Sequence, residues 1–200
     1  GLGDVYKRQG TNSDNIFADA LNRGVTFDVK AAYASALRNG SVYSVNNRKN
    51  SYSGRAHMDG MVFLGYVPQD GLTGGWGGEE FNFSWSMEGS GTDFAIASMA
   101  KYLRDQEGSE SAARQKYNDE YLYFTARATN YVHLFNESMG GWFRAKKSDG
   151  TWLQTDEQFD PTAQGYGYCE DNAYNYAFPP YDGQGLALSL IHISEPTRPY

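Results

Sequence analysis

The sequence has little cysteine, little positive charge and no long apolar stretch. Cys169 is the single cysteine among 200 residues, which excludes an intrachain disulfide and leaves the redox compartment undecided. Lys and Arg number 17 against 24 Asp and Glu, and the resulting net charge of −7 argues against a nucleic-acid-binding protein. Mean hydropathy is −0.64, and no segment approaches the roughly 18 unbroken apolar residues that a membrane-spanning helix needs.

Several familiar catalytic and ligand-binding motifs are also missing. His57, His133 and His192 are isolated, without the spacing of zinc ligands. The glycine-rich run at 74–78 lacks the Gly-Lys-Ser/Thr of a phosphate-binding loop, and no G-x-S-x-G elbow occurs. The residues alone therefore nominate no metal ligand, nucleotide site or serine nucleophile.

Aromatic residues, in contrast, are abundant. They make up 16% of the chain, with 16 Tyr, 11 Phe and 4 Trp, which argues against a disordered protein. Apolar residues recur at helical spacing in four segments, with Asp28 placed to cap the second helix and Gly24 to end the first. The predicted helices cover about residues 16–21, 28–37, 86–105 and 117–135, the last of them about five turns long.

A short β-hairpin is predicted near 142–153, because Asp149-Gly150 supplies the positive φ of a tight turn between two short apolar runs. Long polar loops at 46–53 and 71–80 separate the helices. Helices joined by such loops predict an all-α toroid or bundle. About four helices are few for a closed toroid, so we expect only part of one.

The two ends differ from the middle of the chain. Residues 1–9 and 188–200 show no helical periodicity, and both resemble peptides translated from sequencing-adapter read-through in metagenomic assemblies. We therefore expect a biological chain of about 10–187, truncated at both ends. Each predicted helix would then have lost neighbours, so the isolated chain is expected to expose apolar surface and to fold poorly.

The segment 166–186 is the most suggestive of chemistry. It holds five Tyr, one Phe, two Asn and three acidic residues. Sugars suit such a surface, because their C–H faces stack on aromatic rings, their hydroxyls bond to carboxylates and amides, and their hydrolysis needs paired carboxylates. Composition alone nevertheless favours a plainer interpretation, a tyrosine-rich packing segment with acids at the surface.

The order of residues in this segment resembles a known family. Residues 168–176 (YCEDNAYNY), followed by Pro180-Tyr181-Asp182, resemble the Y-x-E-G-N-x-W-x-Y…P-x-D segment of glycoside hydrolase family 92, the calcium-dependent inverting exo-α-mannosidases. Asp171 stands where Gly is usual in that segment, and Tyr174 stands where Trp is usual. Further segments match the family in order over nearly all of 10–187, among them 16–37, 64–68, 86–100 and 130–161.

The resemblance implies a site around Glu170. This residue occupies the position of the family's general acid, and we expect its aromatic and acidic neighbours to raise its pKa. Tyr168, Asn172, Tyr176 and Asp182 are the candidates for substrate contacts. The family's base aspartates and most calcium ligands would lie beyond this chain, and secretion or a periplasmic location would be expected.

The resemblance also implies the function. The chain would be a fragment of an (α/α)6 toroid from an inverting exo-α-mannosidase that acts on terminal α-linked mannose of N-glycans or mannans. Two other interpretations stay open. One is a non-catalytic module that binds glycans through the same tyrosine-rich surface, and the other is an (α/α)6 glycosidase with another specificity.

Overall fold

The computed structural model describes residues 11–42, 55, 57–70, 82–168 and 172–174. This part of the chain is mostly helical, which confirms the predicted all-α class. It contains one helix more than predicted, because a short helix precedes the long central one. The five helices are α1 (Ser13–Asn22), α2 (Val29–Ser41), α3 (Met58–Phe63), α4 (Asn82–Gln106) and α5 (Ala112–Ala128).

Helices α1 and α2 form an antiparallel pair whose connection follows the sequence signals. The Asp28 carboxylate accepts a hydrogen bond of 3.0 Å from the Ala31 N–H and so caps the start of α2. Gly24 adopts φ +74° just past the end of α1, and its N–H donates to the Leu21 carbonyl at 3.0 Å. Both predicted capping positions are confirmed.

Helix α4 is the central element of the described fold. Sixteen of its 25 residues are buried, because α1, α2 and α5 all pack against it. Helix α5 runs antiparallel to α4, since Asp93 bonds to Arg127 while Arg104 bonds to Asn118. In the described residues no helix is both long and apolar enough to cross a membrane.

The predicted five-turn helix over 117–135 is wrong beyond Ala128. There α5 ends and a 3₁₀ helix, Asn130–Leu134, follows. The Thr129 side chain closes the last turn by donating to the Ala126 carbonyl at 2.8 Å. The apolar residues beyond it continue the helical spacing, but they pack into a different core.

Two short strands follow this 3₁₀ helix. Strand β1 (Phe135–Asn136) pairs antiparallel with β2 (Trp142–Phe143). The predicted hairpin near 142–153 is present in reduced form: Gly150 has φ +84°, and a single bridge joins Lys146 to Trp152. The pairing of β2 with β1 was not predicted, since two residues are too few to show a period of two.

The two larger buried clusters of the described residues lie along α4. We call the first the helical core, formed by α2, α4 and α5, and the second the aromatic core, formed by the start of α4, the 3₁₀ helix, β2 and the loops beyond. The helical core consists of Ala32, Tyr33, Ala36, Ile96, Ala97, Met99, Ala100, Leu103 and Phe124. The aromatic core consists of Tyr66, Phe83, Met87, Tyr131, Leu134, Phe143, Ala145, Phe159, Tyr168 and Ala173.

Candidate active site

Two of the five predicted site residues, Tyr168 and Asn172, lie in the part of the chain that the structure describes. Glu170, Tyr176 and Asp182 lie outside the described residues. The structure therefore defines how the chain on either side of the 169–171 segment is held.

On the N-terminal side of that segment, Tyr168 belongs to the aromatic core. Its side chain is 1% exposed, its ring centroid lies 4.5 Å from that of Phe83, and its hydroxyl donates to the Phe143 carbonyl at 2.5 Å. These contacts join the start of α4 to β2 through one side chain. They fix the chain immediately before Cys169 against the packed aromatic core.

On the C-terminal side, three consecutive residues are held against the loop at 160–163. The Asn172 side-chain amide donates to the Thr162 carbonyl at 3.3 Å, and the Tyr174 N–H donates to the Pro161 carbonyl at 3.0 Å. Between them, Ala173 is fully buried in the aromatic core. The segment that carries Glu170 is thus anchored at both ends to the same core.

The turn at 165–167 leads into this segment with three successive positive φ angles, of +100°, +54° and +87°. Tyr166 pays about 1–2 kcal/mol for its left-handed conformation. At Gly167 a Cβ atom would lie 3.0 Å from the Cβ of Phe83, while the Gly167 carbonyl accepts a hydrogen bond from the Ser84 N–H at 3.1 Å. Glycine is required there for both conformation and close approach to α4.

Four aromatic rings form a row beside the anchored segment. The ring centroids of Tyr174 and Trp142 lie 6.4 Å apart, those of Trp142 and Phe159 lie 6.5 Å apart, and those of Phe159 and Tyr166 lie 6.1 Å apart. Phe159 is buried, whereas Tyr174 is 65% exposed. The row is therefore most buried at Phe159 and reaches the surface at Tyr174.

Arg144 holds the loop that carries part of this row. Its guanidinium is buried over the Phe159 ring at 4.2 Å, bonds to the Asp156 carboxylate at 2.6 Å and donates to the Gln154 carbonyl at 2.7 Å. The hydrogen bond from Arg144 is the main reason that the pKa of Asp156 lies below its usual range. The sequence reasoning matched Arg144 to a family position but did not predict this role.

A second group of buried charges joins the helices. Asp93 on α4 is fully buried and accepts two hydrogen bonds of 2.6 Å from the Arg127 guanidinium on α5 and one from Arg55. Burial alone would lower the pKa of Arg127, but the hydrogen bonds and charge of Asp93 outweigh it and raise that pKa. Arg127 also donates to the Gly40 carbonyl at the end of α2, at 2.7 Å.

Asp14 extends this group to α1. Its carboxylate is fully buried and accepts hydrogen bonds from Thr11 at 2.8 Å and from Asn39 at 3.1 Å. Burial raises the pKa of Asp14, although these hydrogen bonds and the charge of Arg55 oppose the rise. Asp14 and Arg55 were not singled out from the sequence, because a single charged residue carries no periodic signal, whether on a helix, as Asp14 is, or outside one, as Arg55 is.

His57 is a further buried polar residue. It adopts φ +56° at the start of α3, and within the described structure its Nε2 atom has no hydrogen-bond partner. Its ring lies 6.0 Å from that of Trp85. Burial lowers the pKa of His57, with the nearby Asp59 charge opposing, so the imidazole is neutral at pH 7.

The calcium implied by the resemblance was tested against the described side chains. Across residues 11–42, 55, 57–70, 82–168 and 172–174, no three His, Cys, Asp or Glu side chains cluster in a way that could hold a metal ion. The described side chains therefore offer no carboxylate cluster for the calcium that the resemblance implies.

The described structure thus consists of packed helices, an aromatic core and the anchored residues on either side of 169–171. The chain matches the family model of the glycosyl hydrolase family 92 catalytic domain over residues 3–190. Since the match covers nearly the whole chain, the protein belongs to glycosyl hydrolase family 92, which confirms the family predicted from the sequence motifs. No curated protein matches the chain. Family membership makes it a glycoside hydrolase whose substrate is a glycan.

Proposed function

We propose that the protein is the part of an inverting exo-α-mannosidase that carries the general acid, Glu170. The substrate would be terminal α-linked mannose of N-glycans or mannans. The observation that carries the proposal is the anchoring of the segment around Glu170, by Tyr168 on one side and by Asn172 and Tyr174 on the other. A general acid must be held within hydrogen-bond reach of the bond that breaks, and a segment pinned at both ends meets that need.

The reaction needs two carboxyl groups. The Glu170 carboxylic acid would donate its proton to the glycosidic oxygen as the bond from that oxygen to the anomeric carbon breaks. A base on the opposite face, roughly 6.5–9.5 Å from the acid, would take a proton from the attacking water, which gives inversion at the anomeric carbon. We assign no described residue as that base and place it, with most of the calcium ligands, outside this chain.

The substrate contacts follow from the same segment. Asn172, Tyr176 and Asp182 would bond to sugar hydroxyls through their amide, phenol and carboxylate groups. Tyr168 would support the substrate-binding residues without contacting the sugar through its hydroxyl, because that hydroxyl already bonds to the Phe143 carbonyl and the ring is buried.

The helices support a wider architecture. The pairs α1/α2 and α4/α5 are both antiparallel, and α2 packs on α4. We propose that the two pairs are neighbouring hairpins of an (α/α)6 toroid, with the aromatic core under the end of α4 that faces the site.

The experiment is a kinetic comparison in the intact gene product. Glu170→Gln should lower kcat on α-linked mannobiose by about 10²- to 10⁴-fold, because the leaving sugar needs a proton. The loss should be much smaller on an aryl α-mannoside with an acidic phenol, whose departure needs little protonation. Glu157→Gln, at an exposed position, is the matched control and should leave both rates unchanged.

Each alternative function has its own outcome. A panel of nitrophenyl glycosides would reveal a glycosidase of another specificity if a sugar other than mannose is released fastest. Mannose binding without hydrolysis of any glycoside would identify a glycan-binding module. Equal rates for the Glu170→Gln and parent proteins would exclude Glu170 as the acid.

A further inference from the structure

Tyr174 and Trp142 form a pair of rings in which the first is exposed and the second is half-buried. Tyr174 is 65% exposed, and its ring centroid lies 6.4 Å from that of Trp142, with the ring planes inclined at 37°. We propose that these two residues, here called the aromatic platform, stack against a sugar ring of the substrate on the leaving-group side of the bond that is cleaved. This inference rests on the proposed function.

Both rings are held in place before any ligand arrives. The Tyr174 N–H bonds to the Pro161 carbonyl at 3.0 Å, and the preceding Ala173 is fully buried. The Trp142 indole N–H donates to the Met139 carbonyl at 3.1 Å, and its ring packs against Phe159. A platform fixed in this way loses little conformational freedom on binding.

The exposure of Tyr174 differs in kind from that of other surface tyrosines. Tyr102 is 40% exposed and Tyr123 is 49% exposed, but both project from regular helices that pack against the helical core. Tyr174 instead lies on an irregular segment that is anchored to the aromatic core, and its ring lies beside that of Trp142. Paired aromatic faces suit a sugar, whose ring has apolar C–H faces.

The position of the platform points to the leaving-group sugar. Tyr174 follows Glu170 by four positions, a reach of at most about 14 Å of extended chain. An enzyme that removes a terminal sugar must enclose that sugar, and a ring that is two-thirds exposed does not enclose it. The sugar on the other side of the glycosidic oxygen points outward, and an exposed ring such as that of Tyr174 suits that sugar.

Binding in an inactive background tests the platform. In the intact Glu170→Gln protein, Tyr174→Ala should weaken the binding of α-linked mannobiose about 3- to 10-fold, as the loss of one aromatic stacking contact implies. The binding of mannose alone should not change. Tyr174→Phe and Tyr174→Trp, which keep a flat ring, should bind mannobiose as tightly as the parent does.

Controls separate stacking from damage to the fold. Tyr102→Ala removes an exposed tyrosine elsewhere and should leave the affinity unchanged. Mannobiose should also change the tryptophan fluorescence of the parent protein, and Trp142→Phe should abolish most of that change. Unchanged affinity in Tyr174→Ala would overturn the platform while leaving the hydrolase proposal intact. If the Glu170→Gln parent binds no mannobiose, the proposed mannose specificity is wrong and the platform falls with it.

Discussion

The helical core and the aromatic core are built on one helix, α4, yet they are held together by different means. Around the helical core, several apolar residues on each helix face share the packing, and buried charges join the helices through Asp93. Around the aromatic core, the chain is largely irregular and depends on single positions. Gly167, Tyr168 and Arg144 each make contacts that no neighbouring residue repeats.

This difference bears on function. Regular helices packed through redundant contacts make a rigid frame that tolerates many conservative changes in apolar side chains. The irregular chain over the aromatic core can hold catalytic side chains at directions that no helix offers, but each support is then indispensable. The described residues on either side of the candidate acid, Tyr168 and Ala173, belong to the second kind of structure.

The largest effect is expected at the buried charges. Asp93→Asn in the intact protein removes the carboxylate charge that pairs with two buried arginines and should cost about 3–5 kcal/mol of unfolding free energy. Asp156→Asn removes the exposed partner of Arg144 in the other region and should cost far less. Urea unfolding of both variants measures the contrast, and similar losses would show that the two ion pairs do not differ as described.

The next effect concerns the turn before the candidate acid. Gly165→Ala meets no atom within 4 Å, so it should cost only the left-handed conformation, about 1–2 kcal/mol. Gly167→Ala adds overlap with Phe83 and should cost about 1–3 kcal/mol more, with a matching fall in kcat. Thermal unfolding and turnover of the two variants test this, and equal losses would disprove the close approach.

A smaller effect is expected for one hydroxyl group. Tyr168→Phe keeps the ring against Phe83 but leaves the buried Phe143 carbonyl without its donor, at a cost of about 1–3 kcal/mol. Tyr102→Phe, at an exposed position on α4, should change the stability by less than about 0.5 kcal/mol. Urea midpoints of the two variants give the comparison. If Tyr168→Phe leaves the stability unchanged, the hydrogen bond from the Tyr168 hydroxyl does not stabilise this region.

The smallest effect is a dependence on pH. Burial lowers the pKa of folded His57 below its usual 6.5, so the stability from neutral His57 is present above pH 6.5 and is lost as the pH falls toward the folded value. The parent protein should therefore lose stability between pH 7.5 and 5.5, by at most about 1.4 kcal/mol per pH unit. His57→Gln should remove this slope and the exposed-site variant His133→Gln should keep it, as urea midpoints across that range will show.

The sequence was informative where a local pattern repeats or where one residue caps a helix. The helical spacing located four of the five α-helices in the described residues. Asp28 marked the start of α2 and Gly24 the end of α1, because capping depends on neighbours in the chain. Helix α3, with six residues, is too short for a periodic signal. The end of α5 was missed because the apolar spacing continues across Thr129 while the chain changes partners.

The candidate site was identified from its sequence motif and not from the composition of the segment. Residues 168–176 named the family and the positions of the site residues, whereas composition alone favoured a packing segment. In the described residues both views have some support, because Tyr168 packs in the core while Tyr174 is exposed beside it. Contacts with Phe83, Phe143 and Pro161 decide which tyrosine is buried and which is exposed. All three residues lie outside the 168–174 segment.

By itself, then, the sequence determined the helical class, the helix caps and the family, since each of these depends on neighbouring residues or on an ordered set of motifs. Only the tertiary structure decided that Asp93 joins Arg55 and Arg127, that Arg144 holds the 154–159 loop, and that the chain before and after Glu170 rests on one aromatic core. The physical reason is the same in each case. A buried charge, a close glycine contact and a ring pair gain their energy from partners that only folding brings together.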